Sequence, residues 1–184
     1  MRVITGQWKG AKLAALPGEA TRPTTDRVKE SIFNIIQFDI EGRRVLDLFA
    51  GNGQLGIEAL SRGAAEAVFV DNSAKAAAVI RQNLEKLRVD KARVVNKDAV
   101  AFLQTQDRPF SLIFIDAPYH STYIRKCLAA IADRNLLAEG GLIVCESGID
   151  DSWDEPQGFC GTVYRYGKTR VTIYGMPRLE VTAE

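Results

Sequence analysis

The sequence predicts an open α/β sheet whose strands run parallel and are joined by right-handed helical crossovers. Two observations carry that expectation. Five short apolar runs recur along the chain, each leading into an acidic residue or a glycine turn. Helical patterns of suitable length alternate with them, the arrangement that packs helices onto both faces of one sheet.

The strands follow in order. Residues 45–49 end at a glycine turn, 67–70 end at Asp71, 92–95 lead to Asp98, 112–115 end at Asp116 and 141–145 end at Glu146. Short runs that are apolar on both faces read as buried parallel strands. Among the helices, 55–60 is apolar at three- to four-residue spacing, and Ser73 caps a segment continuing through Val79, Ile80, Leu84 and Leu87. Residues 99–103 and 124–131 supply two more. The ends break the alternation. Residues 163–166 and 169–174, around Gly167-Lys168, alternate apolar with polar and read as an antiparallel hairpin closing the sheet. At the front, 2–5 and 11–16, with Gly6 and Gly10 between, read as a second small hairpin. Thr24 or Thr25 then caps an amphipathic helix through Val28, Ile32, Ile35 and Ile36. Residues 1–40 are accordingly expected to be an extension docked on a core of 41–184.

A chain of 184 residues fits one domain. The 46% hydrophobic and 26% charged content is globular and excludes a mostly disordered chain. Lys and Arg number 24 against 23 Asp and Glu, which excludes a uniformly basic coat but not a local basic patch. Cys127, Cys145 and Cys160 have neither CxxC nor Cys/His spacing, so no zinc site or disulfide framework is expected; they read as buried thiols of a reducing compartment. No apolar stretch is long enough for a bilayer span and the N-terminus lacks a signal-peptide core, so a soluble, cytoplasmic protein is expected.

The strongest local signal is Asp47 through Gly56, a glycine turn (Gly51, Gly53) between a strand and a helix, where backbone amides are open to a ligand. Asp71, at the end of the next strand, is placed to accept both hydroxyl protons of a ribose. The same pattern also makes a plain tight turn with Asp71 capping the helix behind it. Asp47 stands before the glycines, where it would repel a pyrophosphate but suit a ligand with an ammonium group, such as S-adenosylmethionine. Asp98 follows the third strand, near the crevice where strand order should reverse. Its carboxylate, or the backbone at Asp98-Ala99, could bond an adenine amino group; a simple helix cap explains it equally well. Phe49 and Asn72 flank these positions and complete the expected cofactor set. Arg22-Pro23-Thr24-Thr25 enters a helix whose amides and hydroxyls suit a carboxylate. Arg2, Lys9 and Lys12, with Trp8 among them and no acid before Glu19, form a basic-aromatic patch suited to phosphate contact and base stacking.

The fourth strand ends in Asp116-Ala117-Pro118-Tyr119. After a DxFxGxG turn, this resembles the Asp/Asn-Pro-Pro-Tyr/Phe loop of amino-methyltransferases acting on nucleic-acid bases. Together with Arg22 through Glu30, Phe33-Asn34, Asp47 through Gly56, and the opening Arg2-Val3-Ile4, Gly6, Trp8-Lys9-Gly10, the chain resembles the RsmD family of bacterial small-subunit rRNA guanine-N2 methyltransferases over essentially its whole length. That resemblance implies a seven-stranded class I methyltransferase fold, S-adenosylmethionine as cofactor, no metal, and rRNA or an assembling small subunit as partner; the oligomeric state is open, with a monomer favoured. It also implies that Asp116, Ala117, Pro118 and Tyr119 orient the base. Ala117 departs from the family's proline. Alanine keeps the carbonyl that accepts an amine N–H and loses only the ring fixing its own φ, while Pro118 still holds residue 117 extended. His120, beside the loop, reads as a polar residue at the rim of the site.

Three rivals share part of this pattern. A DNA-base amino-methyltransferase would need a target-recognition region, for which no segment is long enough. A nicotinamide dehydrogenase conflicts with the carboxylate at 47. A non-catalytic RNA-binding relic is suggested by Ala117 alone.

Overall fold

The computed structural model describes residues 1–16, 26–153 and 157–176. Seven strands form one sheet: β1 (Arg44–Leu48), β2 (Glu66–Asp71), β3 (Ala92–Asn96), β4 (Phe110–Ile115), β5 (Leu137–Gly148), β6 (Cys160–Tyr166) and β7 (Thr169–Gly175). Their order across the sheet is β3-β2-β1-β4-β5-β7-β6, with β7 antiparallel to both its neighbours and the remaining pairs parallel. The helices are α1 (Asp26–Ile35), α2 (Gln54–Ser61), α3 (Ala74–Lys86), α4 (Ala99–Leu103) and α5 (Tyr123–Asp133).

Alternation along each strand divides the core into two layers. Val45, Phe69, Leu112 and Phe114 pack with Ile32 and Phe33 of α1, Leu55 and Ile57 of α2, and Ile80 and Leu84 of α3. Leu46, Leu48, Val68, Ile113 and Ile115 face Phe102 of α4 and Ile124, Leu128 and Ile131 of α5. Both faces are covered, which is why the strands read as continuous apolar runs.

Strand order reverses between β1 and β4, so the crevice that receives ligands in such sheets opens there. Asp98 follows β3, the edge strand, two strands away from the reversal.

The front of the chain forms a shorter hairpin than expected. Residues 1–3 pair antiparallel with 10–13 through Val3 N–H to the Ala11 carbonyl at 2.9 Å, Gly10 N–H to the Val3 carbonyl at 2.9 Å and Leu13 N–H to the Met1 carbonyl at 3.2 Å, around the bridge of Arg2 with Lys12. Other backbone groups of the segment are bonded by side chains of α2 and α3. Glu58 accepts the Ile4 and Thr5 N–H groups at 2.7 and 3.0 Å, Ser61 Oγ accepts that of Trp8 at 3.0 Å, and Asn83 Oδ1 accepts that of Ala14 at 2.8 Å. Beneath this contact, Lys29 and Glu58 form a fully buried ion pair at 3.6 Å, and Lys29 Nζ donates to the Arg2 carbonyl at 2.7 Å. The helix cap expected at Thr24 or Thr25 lies outside the described residues.

Two of the three cysteines are buried as expected. Cys160 is exposed, because it opens the edge strand β6. No described helix is long and apolar enough to cross a membrane.

Candidate active site

The turn after β1 is built from backbone conformations that side chains resist. Phe49, Gly51 and Gly53 have φ of 60°, 56° and 80°. A Cβ on Gly51 would meet nothing within 4 Å, so this side of the turn faces open space and a ligand can approach its backbone closely. Gly56, one turn into α2, serves packing: a methyl there would collide with the Phe69 ring.

Two carboxylates fasten the turn. Asp71 Oδ2 accepts the Gly51 N–H at 2.9 Å, and its Oδ1 accepts the Ser73 N–H at 2.8 Å at the start of α3. The capping role and the position beside the open turn therefore coexist, since each oxygen keeps a further lone pair. Asp47 is 1% exposed and its Oδ2 accepts the Gly56 N–H at 2.8 Å. Burial pushes its carboxyl up from 3.8 to about 7, against the pull of the Gly56 N–H and with a smaller push from the Asp71 charge. Gln54 Oε1, at the first residue of α2, is buried without a hydrogen-bond partner. An orphaned acceptor, a buried carboxyl with a raised pKa and an open glycine turn together fit a ligand that brings N–H donors and positive charge. Asn72 is exposed beside Asp71, and Phe49 stands edge-on to Tyr123 with centroids 5.2 Å apart. Asp98 caps α4, its Oδ1 accepting the Ala101 N–H at 2.9 Å; Ala99 behind it is buried. Arg22, Thr24 and Thr25 lie outside the described residues.

The loop after β4 stands across the crevice from this turn. The Asp116 N–H reaches the Leu48 carbonyl of β1 at 3.4 Å, joining the two sides of the strand reversal. Ala117 is 2% exposed, Pro118 is exposed and Tyr119 is half-buried. The Tyr119 ring packs over Gly148, where a Cβ would come within 2.9 Å of it, and its hydroxyl lies 3.5 Å from Glu146 Oε1. Past Tyr119 the backbone turns through His120, at φ 57°. Asp151 holds that turn: its Oδ1 accepts both the His120 N–H at 3.0 Å and Nδ1 at 2.8 Å, and its Oδ2 accepts the Gly148 N–H at 2.8 Å. One carboxylate thus ties the loop to the end of β5, supplying from outside some of the rigidity that the missing proline would have supplied from within. Sequence reading missed Asp151, which lies in an unremarkable acidic pair with no motif around it.

In the front segment, Arg2, Lys9 and Lys12 are exposed and Trp8 packs partly into the core. The Arg2–Lys12 bridge brings two of these cations side by side, and Lys86 of α3 joins them by donating to the Lys12 carbonyl at 2.7 Å. Residues 1–16 are also linked to the glycine turn, because the Asn83 amide bonds the carbonyls of both Ala14 and Asn52, at 3.2 and 3.0 Å.

A seven-stranded sheet of this order, with a glycine turn after β1, an acid after β2 and the Asp116–Tyr119 loop after β4, defines the chain as a class I methyltransferase fold. The family described as "Conserved hypothetical protein 95" matches residues 1–175. The chain belongs to that family, the RsmD family. It is 43% identical to YlbH of Bacillus subtilis over 180 residues, 95% of this chain and 98% of that protein. It is 38% identical to Ribosomal RNA small subunit methyltransferase D of Escherichia coli K12 over 151 residues, 82% of this chain and 76% of that protein. The solved yhhF structure from Escherichia coli superposes with a TM-score of 0.86 at 35% identity, covering 96% of this chain and 97% of that one.

Proposed function

We propose that the protein transfers a methyl group from S-adenosylmethionine to the exocyclic N2 amine of a guanine in small-subunit rRNA, using residues 1–40 as an RNA-contacting extension docked on 41–184. The observation that carries this reading is the placement of Asp116–Tyr119 directly across the strand reversal from the open glycine turn. Family membership supports the same reaction class.

S-adenosylmethionine supplies a methyl group activated on a sulfonium. Asp71 accepts the ribose hydroxyls while keeping the turn fastened through Gly51. Asp47 and Gln54 face the ammonium end, and the amides of the glycine turn face the ligand backbone. At the acceptor side, the Asp116 carboxylate and the Ala117 carbonyl accept the amine N–H bonds, which favours a pyramidal nitrogen with its lone pair free of the ring. Tyr119 offers a stacking face for a base turned out of its helix. The decisive experiment is radiolabelled methyl transfer to undermodified 30S particles and naked rRNA with nucleoside analysis. N2-methylguanosine is expected; label on another base, on DNA alone, or on nothing overturns the reading.

Three further outcomes follow from individual residues. Asp71→Ala is expected to weaken S-adenosylmethionine by about 1.5–3 kcal/mol per lost charged hydrogen bond, measured by calorimetry on a folded variant; unchanged affinity would remove Asp71 from the site. Cofactor affinity is expected to rise with pH by up to about tenfold per unit until about pH 7 and then level off, because a cationic ligand must displace the proton Asp47 holds. In the ligand-free chain the sign reverses: the raised carboxyl contributes stability that is present below 3.8 and is lost as pH rises through about 7. Asp47→Asn should flatten the affinity profile, and a profile with the same slope in both proteins would show that another group titrates. Finally, replacing Arg2, Lys9 and Lys12 together by alanine should weaken rRNA binding and flatten its salt dependence, because fewer counterions are released, with cofactor affinity unmoved. An unchanged salt slope would show that the patch lies off the RNA path.

A further inference from the structure

The Asp116–Tyr119 loop is suited to an exocyclic amine, and adenine, cytosine and guanine all carry one. The loop alone therefore does not account for a choice of guanine. What sets guanine apart is the atom beside the amine: guanine N1 bears a hydrogen, whereas adenine N1 and cytosine N3 are bare acceptors. An ionised carboxylate only accepts hydrogen bonds, so one placed at that atom suits guanine and opposes the other two.

Two carboxylates reach this loop from the end of β5. Asp151 commits its oxygens to the His120 and Gly148 N–H groups and to His120 Nδ1, at the outer turn of the loop. Glu146 is placed differently. It stands one step beyond the Ile115–Cys145 pair, as Asp116 does, so the two acids lie at the same level on neighbouring segments of the sheet. Adjacent strands are about 4.8 Å apart, a spacing that lets two such side chains flank one base edge. Glu146 is 4% exposed and pairs across to Val171 of β7, on the layer of the core that holds Phe114 and Val144. Its Oε1 lies 3.5 Å from the Tyr119 hydroxyl, and the Tyr119 ring is held close over Gly148. A base lying on that ring has its rim at the hydroxyl end, where Glu146 stands. Burial sharpens the selection, because little water is at hand to replace a missing partner.

We propose that Glu146 determines the base specificity of the reaction, accepting the N1–H of the target guanine while Asp116 and the Ala117 carbonyl hold its N2 amine. The two carboxylate oxygens have lone pairs for the Tyr119 hydroxyl and for N1–H together. An adenine in the same place would set its N1 lone pair against the carboxylate, and a cytosine its N3. Glu146 takes this role only if the guanine-N2 reading holds, and it supplies the base choice that the acceptor loop cannot make.

The test uses the full chain on undermodified 30S particles, native or carrying adenine at the nucleotide that labelling identifies. The parent should prefer guanine over adenine in kcat/KM by at least about a hundredfold; comparable labelling of the two overturns the proposal whatever the variants do. Glu146→Gln keeps the shape but gives the site a donor as well as an acceptor. It should slow labelling of guanine by about tenfold and narrow the preference by about tenfold or more. Its affinity for S-adenosylhomocysteine, measured by calorimetry, should stay within about twofold of the parent's. Glu146→Asp retains the carboxylate and should keep the preference within about threefold even where its rate falls. An unchanged preference in Glu146→Gln, or a preference lost equally in Glu146→Asp, overturns the assignment, since a structural role would lower rate and cofactor affinity without touching base choice. If the parent labels neither particle, the methyl-transfer reading itself has failed; guanine labelled by parent and variants with one and the same preference is the failure of the Glu146 assignment alone.

Discussion

Asp116→Ala is expected to slow methyl transfer by roughly a hundred- to a thousandfold, the usual loss for one contact made chiefly in the transition state. A guanine amine is a poor nucleophile because its lone pair is delocalised into the ring. An acceptor that pulls its N–H bonds out of the ring plane matters little when the base first binds and most when the nitrogen begins to bond carbon. The loss should therefore fall on the single-turnover rate, with S-adenosylmethionine affinity changing by no more than about twofold. Ala117→Pro is the companion measurement. The carbonyl it would orient is already present, and Asp151 already ties His120 and the end of β5 together, so the rate should change by less than about threefold. Near-full rate in Asp116→Ala would end the base-orienting role. An inactive parent chain restored by Ala117→Pro would identify it as a relic of the fold.

Glu58→Ala is expected to cost about 3–5 kcal/mol of stability, the range for stranding one partner of a buried ion pair. Glu58 is 0% exposed and accepts from Ile4, Thr5 and Arg62 while pairing with Lys29, itself 0% exposed. Removing it leaves an ammonium in the core and frees two backbone N–H groups. Urea unfolding measures the loss, and the double variant Lys29→Met with Glu58→Ala should recover part of it by removing the buried charge. An unchanged midpoint in the single variant would show that residues 1–16 are held by other means.

The five parallel strands were legible because each is buried on both faces, and Ser73 announced α3 by its cap, which the structure places on the Ala76 N–H at 3.3 Å. Less legible was whatever depends on a side chain far away in sequence. The front segment alternates well enough to suggest a hairpin, and residues 1–3 do pair with 10–13. The donors of Ile4, Thr5, Trp8 and Ala14 go to Glu58, Ser61 and Asn83, more than 50 residues on, and no local pattern reports that choice. β5 runs from Leu137, earlier than its apolar run implies, because a register shift against β4 lets polar residues enter the strand. At the site, Asp47, Asp71 and Asp116 were visible through glycine and proline punctuation. Asp151 and the orphaned Gln54 were not, since their significance lies in what they touch or fail to touch.

The way residues 1–16 are fastened also sets an order of events during synthesis. They leave the ribosome before α2 and α3, yet Glu58, Ser61, Asn83 and Lys86, which bond their backbone, belong to those two later helices. β1 likewise waits for β4, more than 60 residues downstream, to complete its flank of the sheet. The basic strip is therefore translated early and placed late, a non-local step that adds to the folding time of the chain. During that interval a basic segment lacking its later anchors is exposed beside the very ribosome whose RNA the finished protein is proposed to modify.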